Sequence, residues 1–157
     1  MFDALRTSTG WNTGGAEIDW IGFVDGQGNR LASLTGGEKV RLVVRARANR
    51  ELFSPIIGFF VKDRLGQCLF GEHTFTYVDQ PLAVPSHERL EANFNFVLPL
   101  LPNGDYSITV SIAEGTPEEH VQHHWVHDAI IFRVCSDRLR YGLVGIPFQR
   151  VSLERLG

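Results

Sequence analysis

His120, His123, His124, His127 and Asp128 crowd one segment of the chain, and imidazoles beside a carboxylate are the donors that hold a zinc ion. Zinc needs those donors to converge. In an extended chain successive side chains face opposite ways, so His123, Trp125 and His127 share one side while His124 and Asp128 take the other. A tetrahedral set would need a helix, which nothing in the segment promises, so no metal or other cofactor is expected. The histidines are instead expected at a strand entry, hydrogen-bonded or solvated, with Asp128 accepting from a nearby turn. Nucleophilic chemistry has no better footing. There is no GxSxG elbow, neither cysteine has a histidine partner in local sequence, and the absence of GxxxxGK[ST] rules out a P-loop nucleotide site. The chain is not expected to be an enzyme.

Polar side chains at outward strand positions suit reversible binding better. Arg41 and Arg45 share a strand face with Arg47; Asn93 and Asn95, then Ser107, Thr109 and Ser111, then Trp125, His127 and Arg133 hold corresponding positions on other strands. A sugar offers C–H patches that stack on an aromatic ring and hydroxyls that take planar, multi-donor partners. Trp125, His127, Arg41, Arg45, Asn93, Thr109 and Arg133 are therefore the candidate binding residues, with Tyr77 reaching in from a long loop. The arginine stripe raises the expectation of an anionic ligand terminus. The plain alternative is an ordinary solvated sheet face with Trp125 packed under the loop.

Rigid strands must position these groups, and period-two alternation supplies them. Ala16–Phe23 reads as a strand closed by the Asp25-Gly26-Gln27-Gly28-Asn29 turn, and a hairpin follows to Leu31–Leu34. Val40, Leu42, Val44 and Ala46 alternate with Lys39, Arg41, Val43 and Arg45. Ile57, Phe59 and Val61 mark the next strand, and Asp63-Arg64-Leu65-Gly66 turns into Cys68–Gly71. Thr74–Glu88, with Pro81 and Pro85, is an irregular excursion. Leu90 to Leu98, Tyr106 to Ile112 and Val126 to Val134 complete the set, while Gly115–Gln122 makes at most one turn. At least seven short strands without helices predict an all-β, antiparallel immunoglobulin-like or jelly-roll β-sandwich.

The 157 residues suit one domain, with an irregular lead over 1–14 and the sandwich over 15–157. A net charge of −3 gives no global reason to expect nucleic acid, and no apolar stretch is long enough to span a bilayer. The N-terminus has no secretion signal, which points to the cytoplasm. Cys68 and Cys135 lack CxxC spacing and are expected to be free and buried.

Several strings, taken in order, resemble one family. They are Gly15-Ala16-Glu17-Ile18, Gly37-Glu38, Pro55-Ile56-Ile57-Gly58-Phe59 with Val61-Lys62-Asp63 and Gly66, Leu69-Phe70-Gly71 with Thr74, Gly104-Asp105-Tyr106, and His127-Asp128-Ala129 leading into Phe132-Arg133-Val134. Over Gly14 to Val134 the chain resembles the C-terminal carbohydrate-binding domain of the Wzt ATPase subunits of O-antigen ABC transporters. The resemblance implies an immunoglobulin-like sandwich that follows an ATPase domain at the cytoplasmic face of the inner membrane. Its partners would be a membrane transporter subunit and an undecaprenyl-linked O-antigen polysaccharide, read at its completed non-reducing end without covalent change. The shared strings lie at turns and inward positions, so no ligand residue carries over by motif. Competing readings are a protein-interaction sandwich and a metal-dependent hydrolase.

The tail completes the expectations. Cys135-Ser136-Asp137-Arg138 can hinge, and Tyr141 to Ile146 is apolar but comes too late to extend the preceding strand. Residues 140–157 are therefore expected to form a strand exchanged between the protomers of a homodimer, as the resemblance also implies.

Overall fold

The computed structural model describes residues 10–137 and 142–156. Twelve strands follow one another: β1 (Gly10–Asn12), β2 (Ala16–Val24), β3 (Arg30–Leu31), β4 (Ser33–Leu34), β5 (Lys39–Ala48), β6 (Leu52–Phe53), β7 (Pro55–Asp63), β8 (Cys68–His73), β9 (Ala83–Val84), β10 (Arg89–Val97), β11 (Gly104–Gly115) and β12 (His120–Val134). A 3-10 turn, Phe75–Tyr77, interrupts the loop after β8. No helix among the described residues is long and apolar enough to cross a membrane.

Alternation sorts ten of these strands into two facing sheets, while β6 and β9 pair separately as a two-stranded ribbon. The six-stranded sheet runs β1-β12-β11-β7-β8, with β4 added parallel to β12, and the four-stranded sheet runs β10-β5-β2-β3. β3 pairs with β2 in one sheet and β4 with β12 in the other, so the chain changes layers at Ala32 and Leu34 is buried as it closes that edge. The expected antiparallel sandwich is what the chain forms.

Each sheet turns one face inward, and phenylalanine fills the gap. Phe59 meets Phe94 at 4.8 Å in an edge-to-face pair, and Phe23 meets Phe132 at 5.1 Å. Such pairs contribute about 0.5–1.5 kcal/mol each beyond the area they bury. Tyr106 stacks on Phe132, and its hydroxyl donates to the Pro102 carbonyl at 2.6 Å, which pins the turn entering β11 as a tyrosine corner does in other sandwiches.

β12 departs most from the expected pattern. It begins at His120 rather than Val126 and carries two irregularities against β11, between Ile112 and Ala113 and between Ile108 and Val110. The first turns His123 into the structure, where it is 2 % exposed, and so removes it from the face of Trp125 and His127. At the second, Asp128 takes φ 52°, a left-handed conformation that aspartate tolerates better than most residues. Cys68 and Cys135 are free, as expected, but both are exposed rather than buried. β8 lies at a sheet edge and Cys135 follows the last strand, so neither site has a second layer over it.

Candidate functional site

The outer face of the six-stranded sheet is organised by one row of paired residues. Trp11 of β1 opposes Trp125 of β12, Trp125 opposes Ser111 of β11, Ser111 opposes Gly58 of β7, and Gly58 opposes His73 of β8. The middle of that row has almost no side chain. A cavity of about 500 Å³ results, with Gly58, Ser111 and Ala113 among its floor and Trp125, Phe60, Glu72, His73, His120 and Gln122 around it. Gly71 belongs to the same wall: a β-carbon there would collide with the Phe59 carbonyl and meet the Phe60 ring at 2.7 Å. Phe60, 43 % exposed, stays at the surface because its neighbours Phe59 and Val61 take the inward positions.

Hydrogen bonds fix the polar groups around this cavity. His73 Nδ1 accepts the Phe75 N–H at 3.3 Å, which places the proton of a neutral ring on Nε2 and leaves His73 a donor. His120 is the complement. Its Nδ1 lies 3.0 Å from both the Thr116 and the Pro117 carbonyls, so in a neutral ring Nδ1 carries the proton and Nε2 keeps a lone pair. Glu72 accepts the His73 N–H at 2.9 Å and the Tyr77 hydroxyl at 3.1 Å. Those bonds, the backbone one foremost, hold its carboxyl below the usual glutamate range, so the wall carries a negative charge. An aromatic ring beside a donor, an acceptor and a carboxylate can bind a polyhydroxylated ring by stacking and paired hydrogen bonds.

Other imidazoles of the histidine-rich segment point elsewhere. His123 Nε2 sits 3.1 Å from Glu114 Oε1 and 3.2 Å from Arg50, and its Nδ1 is 3.2 Å from the Thr13 hydroxyl. Burial alone would raise Glu114, but the Phe53 N–H, His123 and Arg50 together pull it below its ordinary range. His124 turns towards the other sheet, where its Nδ1 accepts the Ile18 N–H at 2.8 Å.

The sequence-derived candidates fall on both outer faces. Trp125 borders the cavity, and His127 contacts it edge-on at 6.1 Å. Tyr77 reaches the site through Glu72. Thr109 shares the sheet but is 1 % exposed, so its hydroxyl cannot meet a ligand as the domain stands. Arg133 lies near the far end of β12, paired with Asp105 at 2.9 Å. Arg41, Arg45 and Asn93 stand on β5 and β10, on the opposite side of the sandwich. There Arg45 bonds Glu91 at 2.8 Å, and Asn93 donates to the same carboxylate. Strand parity could not say which sheet an outward residue belongs to, and it failed at the irregular pairings, where Thr109 and His123 are buried.

Phe60, Glu72, His73 and Gln122 were not among the candidates. Their one sequence signal is on β7, where Phe60 is apolar at an outward position two residues from Gly58.

The Wzt C-terminal domain family model matches residues 7–146. No curated protein matches the chain. Among solved structures, one described as the C-terminal domain of wzt superposes with a TM-score of 0.81 at 21 % identity, over 98 % of this chain and 97 % of that one. A structural-genomics target, SoR45, follows at TM-score 0.43 and 11 % identity over 84 % of this chain and 96 % of that one. A β-glucosidase from Listeria innocua in complex with gluconolactone gives 0.41 and 12 % over 81 % of this chain and 16 % of that one. The last two scores are too low to carry an argument.

Proposed function

The chain belongs to the Wzt C-terminal domain family, and on that premise we propose that it is a non-catalytic carbohydrate-binding domain that reads the non-reducing end of a lipid-linked O-antigen polysaccharide for export by an ABC transporter. The observation that carries this reading is the Gly58–Ser111 floor between the Trp125 and Phe60 rings. A glycine and a serine leave the depth of a sugar ring above the sheet, and aromatic rings at its border supply stacking surface. The cavity is bounded by β8 on one side and by Pro117 and His120 on the other, which suits a chain end better than a chain passing through. His73 as donor with His120 as acceptor suits hydroxyls, and the ionised Glu72 disfavours an anionic group in this pocket.

Calorimetric titration with the purified O-polysaccharide, intact and with its non-reducing terminus removed, tests the reading. Binding only to the intact polymer supports it; equal binding of both forms overturns end recognition, and no binding of either overturns the carbohydrate role.

We also propose that the domain works as a strand-exchanged homodimer joined to an ATPase domain at the cytoplasmic membrane face. Support for the exchange comes from the tail. Leu143, Ile146, Phe148, Val151 and Leu153 are exposed, and the backbone bonds recorded between the tail and the sandwich are the reciprocal pair between Leu100 and Gly145, at 2.7 and 2.6 Å. Such a segment gains burial by crossing to a second protomer. Light scattering on the intact domain and on a version ending at Ser136 checks this. A monomeric intact domain, or a truncated one that still dimerises, overturns it.

A further inference from the structure

Charge divides unevenly between the two sheets. β2, β3, β5 and β10 carry Arg30, Lys39, Arg41, Arg45, Arg47 and Arg89 against Glu17, Asp19 and Glu91, whereas acidic residues outnumber basic ones on the strands of the cavity-bearing sheet. A chain of net charge −3 thus presents one basic face. Lys39, Arg41, Arg45 and Arg47 all lie on β5, outward of the buried Val40, Leu42, Val44 and Ala46. Arg45 is held by Glu91, and Arg89 of β10 by Asp19 at 3.0 Å. Lys39, Arg41 and Arg47 make no hydrogen bond or ion pair among the described residues.

We propose that this face is a second binding surface, for an acidic polysaccharide laid along β5. Charge spacing decides between polyanions. Lys39 to Arg47 spans eight steps of about 3.3 Å, so four cations are spread over about 26 Å. A nucleic-acid strand carries a phosphate every ~3.4 Å and would leave most of its charge unmatched on this row, facing Glu17 and Glu91. A polymer charged once per sugar ring is the sparser polyanion and leaves less of its charge unmatched. Asn93 and Asn95, outward on β10 beside Val43 and Arg41, supply amides for hydroxyl groups between the charges. Trp20 does not offer base stacking, because the guanidinium carbons of Arg30 and Arg45 each lie 4.8 Å from its ring centre.

The row ends in a cavity of about 450 Å³ lined by Lys39, Arg41, Asn95 and Phe96, with room for one carboxylate-bearing unit. Asp25 also lines it, but its Oδ1 is turned to its own loop, where it accepts the Gln27 and Asn29 N–H groups at 2.8 and 2.9 Å. This surface stands independently of the pocket around Trp125.

The test is titration of the intact domain with polygalacturonate, neutral dextran and an oligo-dT strand, at low and high salt. Polygalacturonate should bind at low salt, dextran should not bind to this face, and affinity should fall steeply as salt rises. The variant Lys39→Gln/Arg41→Gln/Arg47→Gln should lose about tenfold in affinity, because an exposed charge contact contributes about twofold and three of them combine to about that. Its fold should persist, since all three residues are exposed. Trp125→Ala should leave polygalacturonate binding unchanged, so failure of the pocket reading and failure of this one are read separately. No polygalacturonate binding at low salt, an unaffected triple variant, or oligo-dT binding as tight as polygalacturonate overturns the proposal.

Discussion

Trp125 and Trp20 occupy outward positions on opposite sheets of one sandwich, yet their surroundings give them different work. Across the strands from Trp125 stand Ser111 and then Gly58, so the ring borders open space. Trp20 lies over Gly22, where an added β-carbon would meet it at 2.9 Å, and two guanidiniums crowd its ring. Short cross-strand neighbours leave an aromatic available to a ligand; long cationic ones consume it. Which tryptophan borders open space and which is packed under cations therefore depends on the residues one strand away.

The sharpest way to break this contrast is to remove each ring in turn. Trp125→Ala should cost about thirtyfold in affinity for the O-polysaccharide, of order 2 kcal/mol, with an unchanged circular dichroism spectrum. Trp20→Ala should change that affinity less than about twofold. If Trp125→Ala unfolds the domain, the ring is a packing residue and the contrast collapses.

Stability should show the reverse ranking. Loss of Trp20 removes two cation–π contacts, so chemical denaturation should report about 1–2 kcal/mol lost. An unaltered midpoint would mean the stack is incidental.

A smaller effect tests the hydrogen-bonding wall. His73→Phe keeps a ring but removes the Nε2–H donor, and calorimetry should record about a fivefold loss of polysaccharide affinity, the worth of one net hydrogen bond. Unchanged binding would assign recognition to the rings alone.

The smallest expected change lies at the seam between the faces. Burial, opposed by nearby Glu17, lowers the His124 imidazole below its ordinary 6.5. Its Nδ1 accepts the Ile18 N–H, a role protonation at that atom would end. Because the folded value is depressed, the unfolded chain binds the proton more readily. This contribution is therefore complete above pH 6.5 and is lost as pH falls from there through the folded value. Thermal melts from pH 8 to 5 should decline over that window, and His124→Gln should flatten the decline. A wild-type profile that is flat across the window would remove His124 from the seam's energetics.

Much of the architecture was legible because alternation is a local signal. Val40 to Ala46 and Leu90 to Leu98 each record their own inward face, and the glycine-rich turn after Val24 marks its own bend. The site was less legible because it is assembled across strands. Arg41 and Trp125 share an outward parity that says nothing of the sandwich lying between them. β12 hid more, since irregular pairing resets parity: His123, expected beside Trp125, is carried inside, and the strand starts six residues before the alternation becomes clean. Gly58 was read as part of a family string, whereas its role in the cavity depends on Ser111 and His73, both remote in sequence.

β7 alternates Ile57, Phe59 and Val61 towards the core with Ile56, Gly58 and Phe60 towards the cavity. Core and cavity wall are thus written on the same nine-residue strand in interleaved positions. A substitution at Gly58 or Phe60 can reshape the pocket without touching the phenylalanine core, and one at Phe59 does the opposite. Such a strand lets single substitutions alter the cavity while the scaffold stays under a separate constraint.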